Sequence, residues 1–216
     1  MTTVFRADFT STRQWVAGRS SAYPQMGPTN RGDHKLDYLS DAYCPGGVFA
    51  AARRPGGEYW NCNLLTTEGS PDGFQLQADD VLRARVTLPT ALGAWPAIWT
   101  WRDGGNEIDV FEYHPDNRDL LEVSNHVRGG YSYWHGAGVG VAPGATVDLR
   151  TVFGSRSVNW YANGAPVYSD GRGVGTGWHA YLIVNLSVAD GTYHPRPPAD
   201  GPDRFSWTCH SLEIDR

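Results

Sequence analysis

The sequence lacks the features that mark a disulfide-stabilised or membrane-embedded protein. Its three cysteines, Cys44, Cys62 and Cys209, permit at most one disulfide bond among 216 residues, too few for a disulfide framework. No stretch approaches the roughly 18 consecutive apolar residues of a transmembrane helix, so we expect no membrane partner. The first residues also lack the basic and then apolar layout of a signal peptide, which leaves the export route open.

An excess of basic residues is also absent. The chain has 18 lysines and arginines against 23 aspartates and glutamates, a net charge of −5. A chain with this modest negative charge has no overall electrostatic attraction for nucleic acid or for an anionic membrane surface. Nucleic acid is therefore not expected as a partner.

Helical periodicity is almost absent, whereas apolar and polar residues alternate repeatedly, as in half-buried strands. In 81–88 every second residue from Leu82 onward is apolar, and 145–153 behaves similarly. The segments 156–162 and 165–169 flank Asn163-Gly164, a strong signal for a two-residue hairpin. These patterns predict antiparallel strands.

The composition favours the same class of fold. The chain contains 26 glycines, eleven tyrosines and nine tryptophans, which suits strands joined by many turns. About a dozen or more short strands separated by turn residues indicate an all-β protein. We expect a β-sandwich jelly roll of two stacked antiparallel sheets, with 1–216 forming one domain because no linker or repeat divides the chain.

Three carboxylates occupy six consecutive positions, Glu107-Ile-Asp-Val-Phe-Glu112, in an otherwise apolar strand. Strict alternation would place Glu107 and Asp109 on one face and Glu112 on the other, with Phe111 among the acids. One extra residue between Asp109 and Glu112, a β-bulge, removes both conflicts. The segment therefore predicts a bulged strand whose three acids point into one cleft.

Such a cluster suits a glycosidase, with one carboxylate as nucleophile, one as acid/base and a third to tune them. A calcium site and a solvated edge strand are the alternatives. Calcium ligands usually come from a loop, whereas Ile, Val and Phe separate these acids. Two long glutamate side chains leaning together could reach the roughly 5–5.5 Å separation that retaining enzymes use.

Trp95, Trp99 and Trp101 lie shortly before the acids and share one face of an alternating strand. Indole faces stack on pyranose rings, so these residues are candidates for substrate binding; the alternative is a tryptophan-rich core strand. His126, on the next strand, could reach the acids as a functional or a structural residue. No histidine pair has metal-ligand spacing along a strand or helix, so no metal site is expected.

The segment Trp95-Pro-Ala-Ile-Trp99 followed by Glu107-Ile-Asp-Val-Phe-Glu112 resembles glycoside hydrolase family 16, the laminarinase and endo-β-glucanase group. The resemblance extends from Asp8-Phe9 near the start to Leu212-Glu-Ile-Asp215 at the end, and so covers most of the chain. Laminarinase-like, agarase-like and carrageenase-like members share the extra residue before the last glutamate.

The resemblance implies a jelly roll with a concave cleft that hydrolyses internal β-glycosidic bonds with retention of configuration. Glu107 would be the nucleophile, Asp109 the assisting acid and Glu112 the acid/base. No cofactor would be required, and the protein would be a secreted or extracellular monomer acting on a polysaccharide. We expect β-1,3-glucan as substrate; a galactan-active relative and a non-catalytic, lectin-like sugar-binding module are the alternatives.

Overall fold

Strands and turns make up the whole chain in the computed structural model, which describes residues 1–216. Its only helical segments are four 3₁₀ turns at Pro24–Met26, Arg31–Asp33, Pro45–Gly47 and Val127–Gly129. None of them has the length and apolar character needed to cross a membrane. The strands are Thr3–Arg6 (β1), Val16–Ala17 (β2), Asp37–Ser40 (β3), Val48–Arg53 (β4), Trp60–Thr66 (β5), Gln75–Gln77 (β6), Val81–Thr87 (β7), Ala94–Trp101 (β8), Ile108–Tyr113 (β9), Leu120–Asn125 (β10), Ser132–Ala137 (β11), Thr146–Phe153 (β12), Val158–Ala162 (β13), Ala165–Ser169 (β14), His179–Val188 (β15) and Arg204–Asp215 (β16).

The strands form two layers that are joined through β5. One layer has the strand order β11-β10-β9-β8-β15-β5, and the other continues as β5-β4-β16-β7-β12-β13-β14. The first half of β5 pairs with β4 and its second half with β15, so this strand passes from one layer to the other. Every ladder is antiparallel except that of β3 with β5. The predicted β-sandwich of jelly-roll type is confirmed.

The core lies between the two layers and is rich in aromatic rings. Phe111 of β9 packs edge-to-face on Trp207 of β16, with ring centroids 5.5 Å apart. The indole nitrogen of Trp207 donates a hydrogen bond of 3.2 Å to the backbone oxygen of Asn185 in the facing layer. Buried indoles satisfy their polar group in this way, which ties the layers together at defined points.

Local sequence signals agree with the observed elements. The predicted strands at 81–88, 145–153 and 180–188 correspond to β7, β12 and β15 within one residue at each end. At the hairpin between β13 and β14, Asn163 and Gly164 both have positive φ, 49° and 79°, as a two-residue turn of this kind requires. All three cysteines are buried and free, so no disulfide bond contributes to stability.

Candidate active site

Strand β9 is bulged at the position that the sequence predicts. Against β8, Phe111 pairs with Ile98 and Asp109 pairs with Trp99, so one residue of β9, Val110, has no counterpart. Against β10, Glu112 pairs with Glu122 and Asp109 with Ser124, so two residues of β9 oppose one residue of β10. After a bulge of this kind, each side chain points to the face of the sheet opposite to the one that strict alternation would give.

The bulge separates the apolar residues of β9 from the acidic ones. Val110 and Phe111 are both buried in the main core. Glu107, Asp109 and Glu112 instead line one cleft. The prediction that Phe111 does not project into the cleft is therefore confirmed, as is the convergence of the three acids.

The cleft holds about 400 Å³ and combines acids with aromatic rings. Its walls come from strands β8, β9, β10, β11 and β15 and from the four segments that connect β2 to β3, β8 to β9, β10 to β11 and β15 to β16. The lining includes Asp33, Lys35, Trp95, Trp99, Trp101, Glu107, Asp109, Glu112, Ser124, His126, Tyr131, Tyr133, Asn185, Ser187 and Tyr193. All seven residues that the sequence predicts for catalysis or substrate binding are in this set.

Burial and mutual repulsion favour the protonated forms of the two glutamates. Burial, followed by the charge of Asp109, raises the pKa of Glu107 to about 8. The same two causes raise the pKa of Glu112 well above its ordinary value, and the positive charge of Lys35 opposes the rise in both. Both carboxyl groups therefore keep a proton to higher pH than an ordinary glutamate does.

Trp95 orients the carboxyl group of Glu112. Its indole nitrogen donates a hydrogen bond of 2.7 Å to Oε1 of Glu112. Trp95 is buried, with 7% of its surface exposed, so the bond is shielded from water. One oxygen of Glu112 is therefore held by the cleft wall.

Asp109 lies between the glutamates and is held by β10 and the segment after it. The hydroxyl of Ser124 donates a hydrogen bond to Oδ2 of Asp109. Nε2 of His126 lies 3.7 Å from the same oxygen, an ion-pair distance if the ring is protonated. The backbone nitrogen of His126 also donates to the backbone oxygen of Glu107 at 2.9 Å. The structure therefore brings His126 to the acids, in contact with Asp109.

Trp99 differs from the expectation of an open stacking wall. Its ring is 7% exposed and packs with Tyr23, Leu64 and Ile183 beneath the cleft. The ammonium group of Lys35 lies 5.7 Å from its ring centre, and its indole nitrogen donates to Oδ1 of Asn185 at 2.8 Å. Trp99 is thus mainly a part of the cleft floor, whereas Trp101 is only partly buried.

A hydrogen-bonded chain supports this floor. Asn185 donates to Oγ of Ser187 at 2.8 Å, and Ser187 donates to Oδ2 of Asp37 at 2.7 Å. The same oxygen of the fully buried Asp37 accepts a bond of 2.7 Å from the hydroxyl of Tyr23. Each polar group of this chain has a partner, so the chain can hold Asn185 against the Trp99 indole, although burial still raises the pKa of Asp37.

Sequence reasoning did not identify several residues of the cleft. Lys35 lies in the irregular segment before β3, and Tyr193 lies in the loop after β15, both far from the acids along the chain. Asn185 shows only a glycosylation-type tripeptide in the sequence, yet it is buried in β15. Tyr131 and Tyr133 are two positions apart, a spacing that occurs in any alternating strand. No local signal distinguishes these residues.

Two groups of side chains bring potential metal ligands together. One consists of Glu107, Asp109 and His126; the other consists of His114, Asp116 and His194. In the second group the imidazole rings are nearly parallel, at 8°, with centroids 3.3 Å apart. The nitrogen lone pairs lie in the planes of the rings, and these two planes are parallel and separated. An ion about 2.1 Å from a nitrogen of each ring therefore cannot lie in both planes at once. This geometry suits stacking rather than shared coordination.

Comparison with known proteins identifies relatives only at the level of structure. No protein-family model and no curated protein matches the sequence. An endo-β-1,3-glucanase from Pyrococcus furiosus is 18% identical, with a TM-score of 0.79 over 98% of this chain and 93% of that one. The laminarinase from Rhodothermus marinus is 19% identical, with a TM-score of 0.77 over 100% and 97% of the two chains.

A glycosyl hydrolase family 16 protein from Mycobacterium smegmatis is also similar, at 17% identity and a TM-score of 0.70 over 99% of this chain and 100% of that one. At these identities the similarity establishes the fold alone. The chain has the laminarinase-like fold of glycoside hydrolase family 16, which confirms the fold that the acidic motif and its flanking strands indicate.

Proposed function

We propose that this protein is a glycoside hydrolase that cleaves internal β-glycosidic bonds of a polysaccharide, with β-1,3-glucan as its substrate. The observation that carries the proposal is the bulge in β9, which directs Glu107, Asp109 and Glu112 into one aromatic-lined cleft. The fold supports it, because two structural neighbours are an endo-β-1,3-glucanase and a laminarinase.

In the proposed mechanism, the ionised form of Glu107 attacks the anomeric carbon, and Glu112, in its acid form, protonates the departing oxygen. A glycosyl-enzyme ester forms at Glu107 as the glycosidic bond breaks, and the aglycone leaves with the proton from Glu112. Glu112, now ionised, removes a proton from water, which attacks the ester and frees Glu107. Asp109 lies between the two and raises the proton affinity of both by its charge.

Product analysis tests the substrate and the reaction. The purified protein is incubated with laminarin, lichenan, agarose and carrageenan, and the products are separated by size. We expect oligosaccharides of several lengths from laminarin, and none when Glu107→Gln is used as the control. Oligosaccharides from agarose or carrageenan alone would indicate a galactan-active enzyme. Binding of laminarin without cleavage would indicate a lectin-like module and contradict the proposal.

The stereochemistry of the first product tests the proposed role of Glu107. NMR of freshly released product should show the β-anomer before mutarotation, because two inversions at the anomeric carbon restore its configuration. Azide should restore turnover to Glu107→Ala and give the α-glycosyl azide. An initial α-anomer from the unmodified protein would instead indicate inversion, with Glu107 as the general base that activates a water molecule.

The same proposal includes the setting in which the protein works. In keeping with the resemblance to glycoside hydrolase family 16, we propose that the protein is secreted or extracellular and acts as a monomer. The residues proposed for the reaction supply acid, base and nucleophile, and we therefore propose that no cofactor is needed. Activity that persists after dialysis against a chelator would support the last point, and size-exclusion chromatography with light scattering measures the monomer.

A further inference from the structure

A fourth carboxylate, Glu122, lies behind the cleft wall next to Glu112. The two residues are directly opposed on β10 and β9, so their side chains leave the same face of the sheet. Glu122 is 5% exposed, although an isolated buried carboxylate is costly. Its burial therefore requires partners on its other sides.

Two residues of the loop after β15 supply these partners. The hydroxyl of Tyr193 donates a hydrogen bond of 2.9 Å to Oε2 of Glu122. Nε2 of His194 lies 3.5 Å from Oε1, and Nδ1 of His194 lies 3.2 Å from Oδ2 of Asp116. An imidazole between two carboxylates is favoured as the cation, and these two contacts raise the pKa of His194 against the opposing effect of burial.

The cluster also touches the residue that holds Glu112. The His114 ring stacks on His194, and its centroid lies 4.8 Å from that of Trp95, which donates to Glu112. His114 is 2% exposed, and neither ring nitrogen has a hydrogen-bond partner. Burial and the adjacent charge of His194 lower its pKa well below the ordinary value, so His114 is the neutral member of the stack.

We propose that Glu122, anchored by Tyr193 and His194, is a positioning residue that acts on Glu112 across the β9–β10 ladder and keeps its carboxyl group in the acid form. The negative charge of Glu122 opposes ionisation of Glu112, while the stacked rings fix the Trp95 indole that binds Oε1 of Glu112. This inference rests on the proposed function, because the acid form of Glu112 is what that reaction uses.

The other charged and titratable groups around the pair set the size of the effect. Asp109 of β9 also opposes ionisation of Glu112, and Lys35, from the segment before β3, favours it. Tyr131, just before β11, and Tyr133, on β11, are phenols near the acids. His135 of β11 pairs with Glu122 across the ladder. Residues directly opposed on antiparallel strands, as Glu112 and Glu122 are, have Cβ atoms roughly 5 Å apart. Two charges at about this separation and an effective dielectric constant of about 20 interact by on the order of two pH units, and the cation on His194 offsets part of this interaction. About one pH unit is therefore expected.

The pH dependence of kcat/KM on laminarin tests the inference in Glu122→Gln. Removing the negative charge makes Glu112 easier to ionise, so the alkaline limb should move to lower pH by about one unit. Glu122→Asp keeps the negative charge, so its alkaline limb should lie at the pH of the unmodified protein. Glu213→Gln removes a charge from the opposite layer and should leave the alkaline limb unchanged. An unmoved limb in an active, folded Glu122→Gln protein would overturn the inference.

A second measurement does not depend on activity. The indole N–H of Trp95 donates to Glu112, so its NMR signal, assigned with Trp95→Phe, should report the protonation of Glu112. The midpoint of its titration should fall by about one pH unit in Glu122→Gln, and an equal midpoint would overturn the inference. A shifted midpoint without hydrolysis of any glycan would contradict the proposed function and support the link between the carboxylates.

A further variant covers the case in which Glu122→Gln does not fold. Tyr193→Phe removes only the hydroxyl that donates to Glu122 and partly neutralises its charge. Burial raises the pKa of Glu122, but hydrogen bonding outweighs burial and holds this pKa below its ordinary value, so Glu122 stays ionised where Glu112 titrates and repels it more strongly in the variant. The Trp95 titration should then shift to higher pH, by less than one unit. A midpoint unchanged from the unmodified protein would overturn the inference in that case.

Discussion

The indole nitrogen of Trp160 donates a hydrogen bond of 2.9 Å to the backbone oxygen of Asp109. Trp160 belongs to β13 in one layer, and Asp109 lies at the bulge of β9 in the other. A bulge interrupts the regular ladder, so a buried carbonyl beside it needs another donor. Trp160 supplies that donor and thereby connects the opposite layer to the strand that carries the acids.

Replacing Trp160 by Phe should destabilise the protein and weaken catalysis together. The ring remains but the donor is lost, so the free energy of unfolding should fall by about 1–3 kcal/mol, the cost of an unsatisfied buried carbonyl. Turnover should also fall because the bulge loses its support. Trp178→Phe is the matched control, since the Trp178 indole is buried without a partner. Equal losses of stability in both variants, measured by denaturant titration, would show that the bond contributes nothing.

Glu107→Gln and Glu112→Gln should each lower turnover by several orders of magnitude without unfolding the protein. The amide keeps the shape of the side chain but cannot act as nucleophile or as acid/base. Circular dichroism checks the fold, and release of reducing sugar from laminarin measures turnover. Near-normal turnover in either variant would remove that residue from the proposed mechanism.

Glu107→Gln should also change how stability depends on pH. Because the pKa of Glu107 is raised to about 8 in the folded protein, the folded state binds a proton that the unfolded chain loses near pH 4.3. Ionisation of Glu107 therefore lowers the stability of the unmodified protein as the pH rises from about 4 to about 8.

The Gln variant lacks this loss. Its advantage in unfolding free energy should be near zero at pH 4 and should increase to on the order of 1–3 kcal/mol at pH 8. Denaturant titrations of both proteins at several pH values measure the difference. An advantage that is constant with pH, or that is greatest at pH 4, would contradict the raised pKa.

Trp99 and Trp101 should respond differently to truncation. Trp99→Ala removes a buried ring from the floor cluster and leaves Asn185 without its indole donor, so stability should fall by about 3–5 kcal/mol. Trp101→Ala removes a partly exposed ring and should mainly weaken binding of laminari-oligosaccharides, by on the order of 1–3 kcal/mol. Calorimetry measures both quantities. If Trp99→Ala instead weakened binding of laminari-oligosaccharides without loss of stability, Trp99 would be a residue that stacks on the sugar.

Part of the site could be predicted from the sequence because its geometry is local. The alternation rule places Phe111 among the acids and Glu112 among apolar residues, and only a bulge resolves this conflict. The structure has that bulge, with Phe111 in the core and Glu112 in the cleft. The hairpin at Asn163-Gly164 was predictable for the same reason, since positive φ at two adjacent positions selects those residues.

The remaining groups depend on contacts between distant parts of the chain. The hydrogen bond from Tyr193 to Glu122 spans 71 residues, and that from Ser187 to Asp37 spans 150. Such contacts depend on the order of strands in the sheets, which alternation does not specify. The burial of Trp99 is of this kind too, because Lys35, far from it along the chain, places its ammonium group 5.7 Å from the ring centre.

The sequence by itself therefore determined the all-β class, the bulged acidic strand and the three carboxylates, because backbone alternation acts over a few residues. Tertiary structure alone decided which residues surround those carboxylates. The electrostatics of Glu107 and Glu112 arise from burial and from charges on other strands and loops, so their proton affinities are properties of the folded protein.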